Sequence, residues 1–339
     1  MRPLKAKIIG TGSYVPKRVL TNKDLEQMVE TTDEWIVSRT GMRERRIADS
    51  DEFTSDMGIK AAQNALIDAD LSPEDIDFII VATITPDYIF PSTACLIQEA
   101  LKAKKAAALD IQAACTGFLY ALSIAKSFIE TAVYSNILVI AAEKLSSIVN
   151  YKDRSTCVLF GDGAAACVVS SKARGLSLNS LCLGADGEQA NLLTLPAGGS
   201  RMPASYQSID DSMHYIKMAG NEVFKHAVRR MESSCKECLE LAGLKESDVS
   251  WLIPHQANER IIDAIAKRFE HLSNDRIFKT VHKYGNTSAS SMGIALDELL
   301  REGHVQNNDK ILLTAFGSGF TWGSAVLTDE RASLTEPTS

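Results

Sequence analysis

The chain has 339 residues, of which 45% are hydrophobic and 23% charged, with seven cysteines and a formal net charge of −7. That length allows two domains or one large doubled fold, and the composition excludes a disordered or low-complexity chain. The acidic balance argues against a general nucleic-acid binder, no uncharged run reaches the roughly 20 residues that span a bilayer, and an odd number of scattered cysteines fits reduced thiols rather than a disulfide framework.

In chain order, "MRPLKAKIIG" enters a strand-like run without the apolar core and cleavage site of a signal peptide, so a cytoplasmic protein is expected. "IIGTGSYVP" offers only Gly10 and Gly12, and Pro16 breaks the helix that a dinucleotide fingerprint needs. Arg39, Arg43, Arg45 and Arg46 form a local basic cluster that opposes the global charge and leaves an anionic small ligand open. Short Val- and Ile-rich runs then alternate with longer helical patterns, the signal of an α/β fold with buried strands.

In "DIQAACTGFLYAL", Cys115 stands between a strand-like run and a small-residue helix start. The amides of a helix start favour a thiolate, so a pKa below the ordinary value of about 8.5 is expected. Ala113, Ala114 and Gly117 are small enough to let a substrate carbonyl approach; the competing reading is an inert buried thiol. "FGDGAAACVV" lacks the Lys-Ser/Thr pair of a phosphate loop and reads as a turn between strands. Between Met202 and Met213 the chain is polar and irregular, and the boundary between halves is placed at or just before this stretch. Cys235 and Cys238 form a C-x-x-C inside a helical pattern, with no second pair or nearby His, so they read as a helix face and no metal is assigned.

His255 in "WLIPHQANER" follows a buried strand and a proline, at the carboxyl end where α/β proteins keep functional groups. In "HKYGNTSASS", Gly285 suggests a turn and Asn286 a helix N-cap. Gly317, Gly319 and Gly323 in "AFGSGFTWGSAVL" read as backbone bends. Residues 331–339 read as a frayed tail.

The runs also repeat. Ile79 in "DFIIVATITPD" and Leu252 in "SWLIPHQANER" are 173 residues apart, and Ile137 and Ile311 in a second pair of strands are 174 apart. Two matches at nearly one offset point to an internal duplication: residues 1–200 carrying Cys115, residues 201–330 carrying His255 and Asn286. Adding 173 to Cys115 lands at Ser288, so two helix entrances should face one shared centre.

Taken in order, "TTDEWIVSRTGMRERRIA", "FPSTACLIQ", "AACTGF", "FGDGAA", "MAGNEVFK", "PHQAN", "YGNTSAS" and "FGSGFTWGSA" resemble the β-ketoacyl-[acyl-carrier-protein] synthase III family of thiolase-like condensing enzymes. The resemblance covers almost the whole chain. It implies two duplicated α/β halves in a five-layered α-β-α-β-α arrangement, a homodimer, and no cofactor. It assigns catalysis to Cys115, His255 and Asn286, and an oxyanion hole to the backbone N–H groups of Cys115 and Ser318. Ser318 replaces a commoner glycine, and Thr116 is bulkier than the usual alanine or serine. By the same resemblance Thr31, Trp35, Arg39, Arg154, Gly220 and Asn258 bind CoA, with Asn221 beside them and Trp35 and Arg154 sandwiching the adenine. Phe90, reaching from the partner copy, and Phe160 shape the acyl pocket. Lys225, Gln256, Arg260, Lys267 and Arg268 receive the acyl carrier protein. The implied reaction condenses an acyl-CoA primer, acetyl-CoA first, with the malonyl carrier protein. The alternatives are a relative serving polyketide or quinolone synthesis or acyl transfer alone, a cysteine hydrolase, and a noncatalytic binding protein.

Overall fold

The computed structural model describes residues 4–331; residues 332–339, which hold nearly all of the expected tail, lie outside them. Nine strands form the main sheet: β1 (Lys7–Tyr14), β2 (Phe78–Ala82), β3 (Ala107–Ile111), β4 (Asn136–Glu143), β5 (Gly163–Ser170), β6 (Leu176–Gly184), β7 (Trp251–Pro254), β8 (Lys310–Gly317) and β9 (Thr321–Asp329). Their order is β7-β8-β9-β6-β1-β5-β4-β2-β3. Seven helices matter to the site: α1 (Asp33–Thr40), α2 (Thr54–Asp68), α3 (Thr93–Leu101), α4 (Gly117–Glu130), α5 (Gly220–Ala242), α6 (Glu259–Ala266) and α7 (Ser290–Arg301).

The sheet is two sets of strands joined at a short seam. β1 and β6 meet only at Lys7 opposite Ser177 and Ile8 opposite Leu176. The duplication is visible in the register. Phe78 lies opposite Ile137 and Ile79 opposite Leu138 in one parallel pair; Trp251 lies opposite Ile311 and Leu252 opposite Leu312 in the other. The halves differ at the outer edge, where β2 pairs fully with β3 but the second set keeps only a bridge between Leu252 and Ile277. Because β6 pairs with β9 along its length, it belongs to the C-terminal set. The strand seam therefore falls at residues 171–175, earlier than the division expected after residue 200. The expected irregular stretch also holds a short helix, Tyr206–Asp210, capped by Ser205.

Helices α4 and α7 lie between the two strand sets, in a core that joins Phe118, Leu119 and Leu122 to Met292, Leu296 and Leu299. α2 and α3 cover the outer face of the first set, and α5 and α6 the outer face of the second. This is the expected five-layered arrangement. Strands β4 and β5 are buried at all eight of their residues, which explains their continuous apolar and small-residue runs. Gly10 and Gly12 lie within β1 itself, where a Cβ would fall 2.5 Å from Ala69 N or 2.4 Å from Ala65 N of the overlying α2 segment. They are there for close helix packing. The basic cluster divides: Arg39 and Arg43 are exposed and Arg46 is half-buried, but the fourth arginine turns inward. Arg45 is fully buried, donating to Leu20 O, Asn22 Oδ1 and Val158 O.

Candidate active site

The entrances of α4 and α7 meet at a cavity of about 1480 Å³, whose wall includes Cys115, His255 and Asn286. Each entrance is a bent elbow held by a non-glycine residue at positive φ: Ala114 at 44° and Ser288 at 51°. These two are 174 residues apart, so the backbone kink is itself duplicated. Such a conformation costs an L-residue roughly 1–2 kcal/mol and persists only where packing holds it.

Cys115 sits in the single 3-10 turn Ala114–Thr116 and is 9% exposed. The Thr116 hydroxyl bridges Ala113 O at 2.6 Å and Thr321 Oγ1 at 2.7 Å, tying the elbow to β9, which gives its extra bulk a structural use. At Gly317 a Cβ would lie 2.8 Å from Cys115 N, so only glycine lets the end of β8 pass the amide of the thiol residue.

The thiol itself departs from the sequence expectation. Burial pushes it up to about 12, helped by the nearby Glu143 carboxyl and opposed by the Ser288 hydroxyl. A helix terminus contributes at most about 1–2 kcal/mol, less than removing a thiolate from water costs. The resting group is a neutral thiol. Glu143 was not singled out from the sequence. It closes β4, is fully buried, and accepts at Oε2 from Thr83 Oγ1 at 3.1 Å, Ile84 N at 3.1 Å and Thr85 Oγ1 at 2.8 Å. Burial raises its pKa to about 7 despite these donors. A charged residue ending an otherwise apolar strand was the available signal.

His255 leaves β7 with its backbone N–H on Thr314 O at 2.8 Å, so the sheet itself aims the ring. It is 3% exposed, and burial pushes its pKa down to about 3, which makes it a neutral imidazole. Nδ1 lies 2.7 Å from Ser291 Oγ in the first turn of α7. Asn286 does not cap α7, which starts four residues later. Its backbone is strapped to the 159–161 segment, N–H to Leu159 O at 2.8 Å and C=O from Gly161 N at 3.0 Å. Its Oδ1 accepts from Ser288 N at 2.8 Å.

At the mouth, the α1 end docks on the start of α6: Asn258 Nδ2 donates to Arg39 O at 3.1 Å, and Gly41, at φ 77°, packs on Glu259. Trp35, Arg39, Phe160, Gly220, Asn221, Lys225, Asn258, Arg260 and Ser318 line the cavity. Thr31, Phe90, Arg154, Gln256, Lys267 and Arg268 are not on that wall. Arg154 instead lies 4.9 Å from the Trp35 ring centre and donates to Glu30 O, so those two side chains stack on each other, and a flat base between them would require the guanidinium to move. Phe90 is 84% exposed. Gln256 contradicts the docking assignment: it is fully buried, with Nε2 on Pro254 O and Phe278 O and Oε1 accepting from Thr280 N and Val281 N. It braces the loop behind His255. Lys267 and Arg268 are exposed, but α6 stops at Ala266, so they leave its far end rather than sharing a continuous face with Arg260. Cys235 and Cys238 are buried on α5, packed with Cys182 of β6 through Ser180, Ser234 and Ser324.

A doubled α/β fold with a cavity at the meeting of two equivalent helix entrances is the architecture of thiolase-like condensing enzymes, and this chain has it. Two sequence families match, described as "3-Oxoacyl-[acyl-carrier-protein (ACP)] synthase III" over residues 109–187 and as its C-terminal part over residues 239–328. A β-ketoacyl-[acyl-carrier-protein] synthase III of Chlamydia muridarum is 59% identical over 96% of this chain and 99% of its own. The crystal structure of 3-oxoacyl-[acyl-carrier-protein] synthase III from Aquifex aeolicus, 51% identical, superposes with a TM-score of 0.88 over 95% of this chain and 99% of its own. The priming β-ketosynthase of the R1128 polyketide pathway, 34% identical, reaches 0.89 over 97% of this chain and 98% of its own. The chain belongs to the β-ketoacyl-[acyl-carrier-protein] synthase III family and is an acyltransferase of the condensing type.

Proposed function

We propose that Cys115 takes an acyl group from an acyl-CoA primer, acetyl-CoA first, and that His255 and Asn286 then drive decarboxylative condensation with the malonyl carrier protein. The products are 3-oxoacyl carrier protein, CoA and carbon dioxide, which opens type II fatty-acid synthesis. The observation that carries this reading is the meeting of these three side chains on one cavity wall in a chain of this family.

In the first half-reaction Cys115 Sγ attacks the thioester, the carbon–sulfur bond to CoA breaks, and the thiol proton ends on CoA. In the second, carbon dioxide leaves the malonyl group, and the enolate oxygen that forms accepts hydrogen bonds from His255 and Asn286. The enolate carbon attacks the acyl-Cys115 carbonyl, whose oxyanion is met by the N–H groups of Cys115 and Ser318. Each such donor lowers the barrier by about 3 kcal/mol. As this oxyanion collapses the carbon–sulfur bond to Cys115 breaks, and the released thiolate takes a proton from solvent to restore the thiol. Phe160, 6% exposed, lies on the cavity wall, and the short primer rests on the large ring of Phe90 closing the acyl pocket from a second copy.

Trp35, Arg39, Gly220 and Asn258 hold CoA, with Thr31 and Arg154 beside the mouth. Lys225, Arg260, Lys267 and Arg268 offer charge to an acidic carrier protein. Lys225 pairs with Glu222 at 2.8 Å and Arg268 with Glu246 at 3.4 Å, so docking exchanges these pairs for new ones. Tyr88, Ile89 and Phe90, 60%, 87% and 84% exposed, are the surface through which Phe90 reaches a second copy in a homodimer. No cofactor or metal enters the scheme, and the seven free thiols suit the reducing cytoplasm. Among the described residues no helix is long and apolar enough to cross a membrane.

The test is intact-protein mass spectrometry with a panel of acyl-CoAs and no malonyl carrier protein. One acetyl group on the Cys115 peptide is expected. An adduct only with longer or branched acyl-CoAs would move the enzyme toward the polyketide priming reading favoured by the R1128 likeness; no adduct with any would overturn the proposal.

A further inference from the structure

The hydrogen bonds around His255 leave one assignment of its proton. Ser291 Oγ lies 2.7 Å from His255 Nδ1 and 3.3 Å from the backbone N of Gln256. A backbone N–H only donates, so Gln256 occupies a lone pair of the serine oxygen. The serine has one hydrogen to give, and among the described residues its one acceptor is His255 Nδ1. The ring is buried and neutral, so it carries a single proton. Placing that proton on Nδ1 would set two hydrogens against one another or leave the buried Ser291 hydroxyl, 2% exposed, without an acceptor.

We infer that Ser291 is a positioning residue that holds His255 in the tautomer with its proton on Nε2, so that the imidazole meets a bound substrate as a hydrogen-bond donor and not as a base. Asn286 obeys the same logic. Its Oδ1 is taken by the Ser288 N–H, which leaves Nδ2 for a ligand, and no described residue accepts from Nδ2. The wall thus carries two N–H donors, Nε2 of His255 and Nδ2 of Asn286, and no acceptor on the His255 ring, whose Nδ1 is taken by Ser291. This arrangement suits an oxygen gaining negative charge. It does not suit removal of the Cys115 proton, because Nε2 already holds one and a second would make a buried imidazolium. The thiol proton therefore passes to the departing CoA sulfur, and the site is built unlike a thiolate–imidazolium hydrolase.

The inference rests on the proposed role of His255, and the experiment separates the two. In the full chain labelled with 15N-histidine, the His255 signals, assigned by their loss in His255→Asn, are expected to show a protonated Nε2 and a bare Nδ1. A proton on Nδ1 overturns the inference, and this readout needs no activity and no serine variant. In turnover, Ser291→Ala is expected to slow decarboxylation of the malonyl carrier protein roughly tenfold while Cys115 acetylation stays within about twofold, with Ser291→Thr recovering the loss. Equal loss in both half-reactions, or no loss in either, counts against it. Normal decarboxylation by His255→Ala would instead overturn the role of His255 itself.

Discussion

The two halves of the molecule use one backbone device for opposite purposes. At Ala114 and Ser288 the same positive-φ elbow turns the chain into a central helix. In the N-terminal half the next residue is the thiol, which the proposed reaction uses to make and break a bond. In the C-terminal half the elbow instead anchors Asn286 through the Ser288 N–H, and the following turn supplies Ser291 to His255. In the proposed reaction the first elbow presents the atom that reacts, and the second fixes the direction of atoms that only donate. Duplication supplied the geometry, and the side chains divided the chemistry.

The largest expected effect breaks the comparison at its reactive side. Cys115→Ala should abolish acyl transfer while circular dichroism and thermal unfolding stay close to the parent. Next, His255→Ala and Asn286→Ala should each lower malonyl decarboxylation by about 10²-fold or more, the scale of losing a donor to a developing oxyanion, while leaving acylation far less affected. Kinetics of the separate half-reactions would check this, and equal losses in both would erase the division between halves.

Smaller effects sharpen it. Gln256→Ala should cost about 2–3 kcal/mol of stability, because it orphans the buried N–H groups of Thr280 and Val281, whereas Lys225→Ala and Arg260→Ala should raise the KM for carrier protein and leave stability within about 0.5 kcal/mol. Denaturant titration and steady-state kinetics separate the two outcomes.

The pH dependence sets the halves against each other. His255 falls from its ordinary 6.5 to about 3 in the folded state, so its contribution is complete above 6.5 and is lost as pH falls toward 3. Glu143 rises from 4.5 to about 7, so the native state holds an extra proton between those values and stability declines as pH rises across that window. Each full proton of difference is a slope of about 1.4 kcal/mol per pH unit. Glu143→Gln should therefore gain on the parent as pH rises from 4.5 to 7. A constant difference across that range would mean the carboxyl is ionised in the fold.

Much of this was legible in the sequence because strand periodicity survives duplication. The 173- and 174-residue offsets reappear as strand register, and Cys115, His255 and Asn286 each follow a recognisable strand or turn. What could not be read depends on residues brought together from far apart. The Cys115 thiol is raised by burial, with Glu143 adding to it, and the helix start that argued for a thiolate is local. Gln256 stands between two site residues in sequence, yet its partners at residues 278–281 make it a brace. The seam at residues 171–175 was hidden because β6 reads like any buried strand until its pairing with β9 is known.

The most direct measurement follows the acetyl group in a His255→Ala/Asn286→Ala double variant by intact mass after acetyl-CoA and then malonyl carrier protein are added. The expected result is an acetyl group that loads on Cys115 and stays there, because the reactive half is whole and the donating half is gone. Failure to load, or discharge at the parent rate, would contradict the division of labour between the two halves.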